Sequence, residues 1–126
     1  YVNDYQEVYS YRDIRLEVEE QGELHWKMNE TLAVVLVTNL LKNAFVHNID
    51  KGSIRIIISS KGIRFGNTGT GESLDALRIF ERFYQGSKKK EGSTGLGLAI
   101  VDAVCRHSSL QICYRFEENM HWFELE

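Results

Sequence analysis

The sequence predicts a two-layer α/β (α+β) sandwich, in which helices cover one face of a mixed, largely antiparallel sheet. Two observations support this prediction. Long segments with helical spacing are each followed by a pair of strand-like segments joined by a short polar turn. The 126 residues contain no proline, so the ten glycines are expected to mark the loops. The length fits a single domain spanning residues 1–126.

Several segments have the composition of strands. They either alternate between apolar and polar residues or concentrate β-branched residues between turn residues. We expect strands at residues 11–19, 24–28, 53–60, 63–65, 110–116 and 121–125. Lys61 and Gly62 would form the turn of one hairpin, and residues 117–119 the turn of the closing hairpin.

Helical spacing recurs after the first strands. Asn29 is a good N-cap for a helix that we expect to run to about Asn48. Residues 73–84 also have helical spacing, but they lead into the polar residues 85–94, which should be mobile. A further long helix is expected to open at Gly95 and to run to about residue 107. The predicted order is strand, strand, helix, hairpin, lid, helix, hairpin.

Composition argues against several classes of function. The formal charge of −3 provides no basic excess for binding nucleic acid or an anionic membrane surface. No apolar run approaches the roughly 20 residues of a membrane span. Cys105 and Cys113 form no CxxC pair, which argues against zinc and fits two reduced, semi-buried thiols. The chain begins at Tyr1 without a targeting segment, so we expect it to be a fragment of a longer protein.

Regularly spaced polar residues mark the first helix. Asn39, Asn43 and His47 fall within one narrow stripe beside the apolar face, whereas Lys42 points away from it. An amide carbonyl can ligate Mg²⁺ while its NH₂ group donates to a phosphate. The stripe therefore has two equal interpretations. It lines a nucleotide and metal site, or it is a solvated helix edge whose amides cap nearby turns.

Two glycine-rich segments accompany the asparagine helix. Residues 66–71 follow a strand directly, where glycine lets the backbone approach a flat or anionic ligand, although a plain turn has the same pattern. Residues 93–100 are a stronger signal, because their glycines lie where a loop enters a helix and free N–H groups can hold phosphate. The alternative is a flexible helix start. Residues 88–90 are lysines, which either close over phosphates or keep a loop soluble.

Four motifs in this order resemble those of the catalytic domain of sensor histidine kinases, whose nucleotide-binding fold is shared with gyrase, Hsp90 and MutL. The resemblance spans nearly the whole chain. The matching segments are Asn39-Leu40-Leu41-Lys42-Asn43-Ala44 (the N box), Asn67-Thr68-Gly69-Thr70-Gly71 (the first glycine box), Ile79-Phe80-Glu81-Arg82-Phe83-Tyr84 (the F box) and Thr94-Gly95-Leu96-Gly97-Leu98 (the second glycine box).

The resemblance implies a role for each part of these motifs. Asn43 would ligate Mg²⁺, Asn39 would support the metal and the phosphates, and His47 would line the nucleotide. The first glycine box would form the adenine pocket through Asn67, Gly69 and Gly71. The residues implied to contact the phosphates and to anchor a lid of about residues 72–94 are Thr94, Gly95, Leu96, Gly97 and Leu98.

Three positions depart from the family pattern. Asn67 stands where an aspartate usually accepts from the adenine amino group, which removes a charge-assisted contribution of about 1 kcal/mol. Val46 and Gln85 replace a lysine and an arginine that usually contact phosphate. Arg82 or the lysines at 88–90 would substitute for these contacts. We therefore expect ATP binding to be weakened.

The resemblance implies that the domain presents the γ-phosphate of Mg·ATP to a histidine on a separate dimerisation domain of a homodimeric parent. The partners would be that domain and a response regulator receiver domain. The domain would be cytoplasmic, its parent would be an inner-membrane sensor, and the isolated domain would be inactive. The alternatives are a nucleotide-binding regulatory module with little or no turnover, and a serine kinase or anti-sigma regulator of the same fold.

Overall fold

The computed structural model describes residues 13–24, 27–49, 51–69 and 97–126. Within these ranges the chain forms five strands and two helices. The strands are β1 (Arg15–Glu20), β2 (Ser53–Ile58), β3 (Ile63–Thr68), β4 (Ile112–Glu117) and β5 (Met120–Leu125). The helices are α1 (Glu30–Val46) and α2 (Gly97–His107).

The described strands form one mixed sheet in the order β1-β2-β3-β5-β4. β1 runs parallel to β2, since the chain crosses over through α1 between them. The other neighbouring pairs are antiparallel, and β3 lies at the centre between β2 and β5. The predicted mixed, largely antiparallel sheet is therefore confirmed.

Both helices pack on the same face of the sheet. Their buried apolar residues join those that alternate inward along the strands. The buried core residues are Leu36, Leu40, Leu41, Ala44, Phe45, Ile54, Ile56, Phe65, Val101, Val104, Cys105, Tyr114, Phe123 and Leu125. The opposite face carries charged residues, with the guanidinium of Arg64 4.8 Å from the ring centroid of Trp122. The sandwich of helices over one sheet face is as predicted.

The start of α1 follows the predicted capping chemistry. Asn29 adopts an extended conformation, and its Oδ1 accepts hydrogen bonds from the N–H groups of Thr31 at 2.8 Å and Leu32 at 3.4 Å. The predicted end at Asn48 is wrong by two residues, because the helix ends at Val46. Asn48 leaves the helix because its side chain turns inward to bond the strands.

The central strand is longer than predicted. We expected the return strand to end at Phe65 and a loop to begin at Gly66, but β3 continues through Thr68. The extension pairs with β5 on one side and with β2 on the other. Gly66 belongs in this strand because the Trp122 ring lies against it, and a Cβ built there would lie 2.5 Å from the ring.

The remaining boundaries differ by a few residues. Glu118 and Asn119 have φ angles of 55° and 62°, so the predicted turn of the closing hairpin is confirmed with both residues left-handed. The strand predicted at residues 24–28 is wrong for Leu24, Lys27 and Met28, and its other two residues lie outside the described ranges. The predicted helix at residues 73–84 and the polar residues 85–94 also lie outside the described ranges.

Candidate functional site

The asparagine stripe lies at the edge of the core, as its spacing predicts. Asn39, Asn43 and His47 are all half-buried, whereas Lys42 between them is exposed. Eight residues of helix at about 1.5 Å per residue place Asn39 and His47 about 12 Å apart along the axis. The stripe is therefore long enough to border an extended ligand.

One end of the stripe faces the start of α2. Asn39 Nδ2 donates to the carbonyl of Val35 at 2.7 Å. Its Oδ1 lies 3.5 Å from the position that a Cβ on Gly97 would occupy. The first turn of α2 contains no acidic residue that would compete for an anion at the helix N-terminus. The fold thus brings the first asparagine beside Gly97.

Asn43 lies one turn further along the stripe. Its backbone carbonyl accepts from the N–H of His47 at 3.1 Å. Its side-chain amide makes no hydrogen bond to any residue within the described ranges. A half-buried amide in that position retains both a donor and an acceptor for a ligand.

The other end of the stripe meets the end of β3. Asn67 is 2% exposed, and its Nδ2 donates to the carbonyl of Thr68 at 2.9 Å. This bond orients the amide and leaves the acceptor Oδ1 to face another donor. Asn67 pairs with Ile54 of β2 and with His121 of β5, so it sits in the middle of the sheet.

Gly69 is the point at which three elements converge. A Cβ built there would lie 2.9 Å from His121 Cδ2 and 3.2 Å from the carbonyl oxygen of His47. Only a residue without a side chain fits between the end of α1 and β5 without displacing one of them. His47 approaches this glycine through its backbone, which places it at the same end of the site as Asn67.

Sequence reasoning missed a buried pair behind this end of the site. Tyr114 Oη and His121 Nδ1 are 2.7 Å apart, and both residues are buried. The ring of Phe116 lies with its centroid 4.8 Å from that of His121. The inward alternation of His121 with Phe123 in β5 was the available signal. The sequence did not show that the ring would reach Gly69.

Of the other predicted site residues, two lie within the described ranges and the rest lie outside them. Gly97 and Leu98 form the first turn of α2, and Leu98 packs against the core. The remaining predicted residues lie outside the described ranges and stay predictions: Gly71, Arg82, Thr94, Gly95 and Leu96.

The described part of the chain offers no conventional metal cluster. Its His, Cys, Asp and Glu side chains form no group of three or more that could hold an ion. An asparagine-based Mg²⁺ site is of a different kind, because Mg²⁺ commonly takes few protein oxygens and completes its shell with phosphates and water. Asn43, with an amide that no described residue engages, fits that kind of site.

The two thiols differ in their surroundings. Both are free, and the expectation of two semi-buried cysteines is wrong, because Cys105 is buried and Cys113 is exposed. Burial, and next the charge of Asp102, raise the pKa of the Cys105 thiol from 9.0 to about 11. Among the described residues, neither helix has the length and apolarity needed to cross a bilayer.

The sequence is similar to those of known proteins. Residues 28–121 match the histidine kinase-, DNA gyrase B- and HSP90-like ATPases. The sensor histidine kinase RppB of Synechocystis sp. is 36% identical over 91 residues, which are 66% of this chain and 20% of that protein. The chain thus spans about a fifth of the length of this curated relative.

Solved structures share the fold. The mycobacterial sensor histidine kinase MprB matches with a TM-score of 0.80 at 20% identity, over 98% of this chain and 90% of that chain. Histidine kinase ThkA, in complex with the response regulator protein TrrA, matches with a TM-score of 0.75 at 20% identity, over 98% of this chain and 36% of that chain. The predicted fold class is confirmed by these likenesses.

Proposed function

This chain belongs to the family of histidine kinase-, DNA gyrase B- and HSP90-like ATPases, and we propose that it is the ATP-binding catalytic domain of a sensor histidine kinase. The observation that carries the proposal is the arrangement around α1. Asn39 faces the start of α2, and the other end of the same polar stripe meets Asn67 and Gly69. A nucleoside triphosphate laid along the stripe would have its base at one end and its phosphates at the other.

We assign the roles as follows. Asn67 Oδ1 accepts from the adenine amino group, and Gly69 gives the base room against the sheet. The free N–H groups at the start of α2 hold phosphate at Gly97 and Leu98. Asn43, supported by Asn39, ligates Mg²⁺, which when bound would neutralise phosphate charge during transfer. The residues assigned from the motifs alone are Gly71, Arg82, Thr94, Gly95 and Leu96.

Three side chains make this a weakened nucleotide site. Asn67 supplies a neutral acceptor in place of a carboxylate, and a charge-assisted hydrogen bond is about twice as strong as a neutral one. Val46 is buried and apolar where the family pattern has a lysine. Gln85 replaces an arginine. We expect Mg·ATP to bind, but less tightly than it binds to relatives that have the aspartate, the lysine and the arginine at these three positions.

The reaction is a transfer of the γ-phosphoryl group to a histidine on a separate dimerisation domain of the same parent. A P–N bond forms at the imidazole as the bond to the β-phosphate oxygen breaks, and ADP leaves. A response regulator receiver domain then takes the phosphoryl group. The parent would be a homodimeric inner-membrane sensor with this domain in the cytoplasm, where ATP is available. We propose that the isolated domain is inactive alone, because the acceptor histidine would lie on that separate dimerisation domain.

Calorimetry of the purified 126-residue chain tests the binding half of this proposal. We expect Mg²⁺-dependent binding of ATP that is lost in Asn43→Ala. The matched control is Lys42→Ala, because Lys42 is the adjacent exposed residue of the same helix. Asn43→Ala should keep the melting temperature of the apo protein, since no described residue bonds the Asn43 amide. Absence of Mg²⁺-dependent nucleotide binding in the unmodified chain would refute the proposal.

Phosphoryl transfer tests the catalytic half. The domain is mixed with its own histidine-bearing dimerisation domain and γ-labelled ATP, and label on the histidine is the expected result. Binding without transfer would instead identify a regulatory module that has lost turnover. Label on a serine of a separate protein would identify a serine kinase of the same fold.

A further inference from the structure

A partly buried hydrogen-bond network joins the end of α1 to the end of β3. Asn48 is fully buried, and its Nδ2 donates to the carbonyl of Ser53 at 3.0 Å. Its Oδ1 accepts from the N–H of Ile49 at 2.9 Å and from the hydroxyl of Thr68 at 2.5 Å. The same hydroxyl accepts from the N–H of Ser53 at 2.8 Å. We call Asn48, Ser53 and Thr68 the polar clamp.

The polar clamp specifies one position of the helix end relative to the strand. Its donors and acceptors satisfy one another, and any of them left without a partner away from water would destabilise the fold. A shift of α1 along β3 would break several of these bonds together. Gly52 permits the close packing, because a Cβ built there would collide with Asn48 Oδ1 and Thr68 Oγ1 and would lie 2.9 Å from the carbonyl oxygen of Ile49.

The two ends of the polar clamp adjoin the two sides of the proposed adenine pocket. Asn48 directly follows His47, whose carbonyl approaches Gly69. Thr68 lies between Asn67 and Gly69 in the chain, and its carbonyl accepts the bond that orients the Asn67 amide. The clamp therefore sets both the width of this end of the site and the direction of the Asn67 acceptor.

We propose that the polar clamp selects the adenine base, with Thr68 as a positioning residue that acts through Asn67. The inference rests on the proposed function and adds a determinant of base specificity to it. Without the Thr68 hydroxyl, the end of β3 loses its bonds to Asn48 and Ser53. The Thr68 carbonyl, and with it the direction of the Asn67 acceptor, is then held by strand pairing alone. Discrimination between adenine and guanine should then fall, because it depends on one oriented acceptor, whereas phosphate contacts at the start of α2 should persist.

The experiment compares the dissociation constants of Mg·ATP and Mg·GTP by calorimetry for the unmodified chain, Thr68→Val and Thr68→Ser. Valine keeps the shape but removes the hydroxyl, and serine keeps the hydroxyl. We expect Thr68→Val to lower the preference for ATP over GTP about fivefold, the worth of one hydrogen bond, and Thr68→Ser to restore it. The matched control is Ser59→Ala, which removes a side-chain bond to Gly62 at the far end of the same hairpin.

The outcomes separate this inference from the proposed function. If the unmodified chain binds no nucleotide, the proposed function fails. If it binds and Thr68→Val lowers the melting temperature without changing the ATP to GTP ratio, the polar clamp is only structural and the inference is overturned.

Hydrogen exchange of the unmodified chain covers the case in which Thr68→Val does not fold. Where calorimetry shows that Mg·ADP binds, the inference requires the amides of Ile49 and Ser53 to gain protection, and unchanged protection at both despite binding would overturn it.

Discussion

Replacing Asn67 by the aspartate that the family usually has should lower the stability of the free domain and raise its affinity for nucleotide. Asn67 is 2% exposed, and its Nδ2 donates to the Thr68 carbonyl at 2.9 Å. Asn67→Asp replaces that donor with an acceptor oxygen, so a hydrogen bond is lost and two oxygens face each other. Losing this bond at a residue that is almost fully buried costs about 1 to 3 kcal/mol of unfolding free energy.

The same substitution should strengthen ATP binding. A carboxylate accepts from the adenine amino group with a charge-assisted bond, worth about 1 kcal/mol more than the amide bond, which corresponds to about fivefold tighter binding. Nucleotide at about a hundredfold its dissociation constant adds roughly 2.7 kcal/mol to the unfolding free energy. The unmodified chain gains stability from nucleotide in the same way. The variant should therefore melt well below it when free, and at one saturating concentration of Mg·ATP the difference should narrow by about 1 kcal/mol, which is the gain in affinity.

Two measurements check this prediction. Thermal melts with and without Mg·ATP give the stability difference, and calorimetry at a temperature where both proteins are folded gives the affinity. Asn67→Ala is the control, because it removes both the amide donor and the acceptor and should lose stability and affinity together. Weaker ATP binding by a folded Asn67→Asp variant would refute the assignment of Asn67 to the adenine amino group.

Two further predictions follow from the packing of single residues. Gly69→Ala places a methyl group 2.9 Å from His121 Cδ2. We expect thermal melts to show about 1 to 3 kcal/mol of lost stability and calorimetry to show at least about tenfold weaker ATP binding. Unchanged stability and affinity would contradict the close approach of α1 and β5 to Gly69. In the folded protein at pH 8, Ellman's reagent should modify Cys113 and spare Cys105, whose pKa is raised to about 11 by burial and by Asp102. Equal labelling of both thiols would contradict the burial of Cys105. The Cys105 thiol ionises from about pH 9.0 in the unfolded chain but stays protonated in the folded one, so the unfolding free energy should fall between pH 9 and 11. Cys105→Ser should reduce that fall.

Local patterns were sufficient for much of the site. The cap at Asn29 and the stripe of Asn39, Asn43 and His47 follow from helix geometry within one segment, and the structure confirms the cap and the placement of the stripe beside the core. The failures lie where local patterns compete with tertiary contacts. Gly66 was expected in a loop because it begins a glycine-rich segment. Its pairing with two neighbouring strands and its packing against Trp122 instead keep it in β3.

By itself, the sequence determined the alternation of elements, the polar stripe on α1 and the order of the four motifs, because each depends on residues close together in the chain. Only the tertiary structure decided that Asn48 bonds Thr68, 20 residues away, and that His121 reaches Gly69 from the last strand. These contacts depend on the register of non-adjacent strands and on the angle at which a helix end meets the sheet. Neither is encoded in the period of any single segment, since both arise from packing the whole core at once.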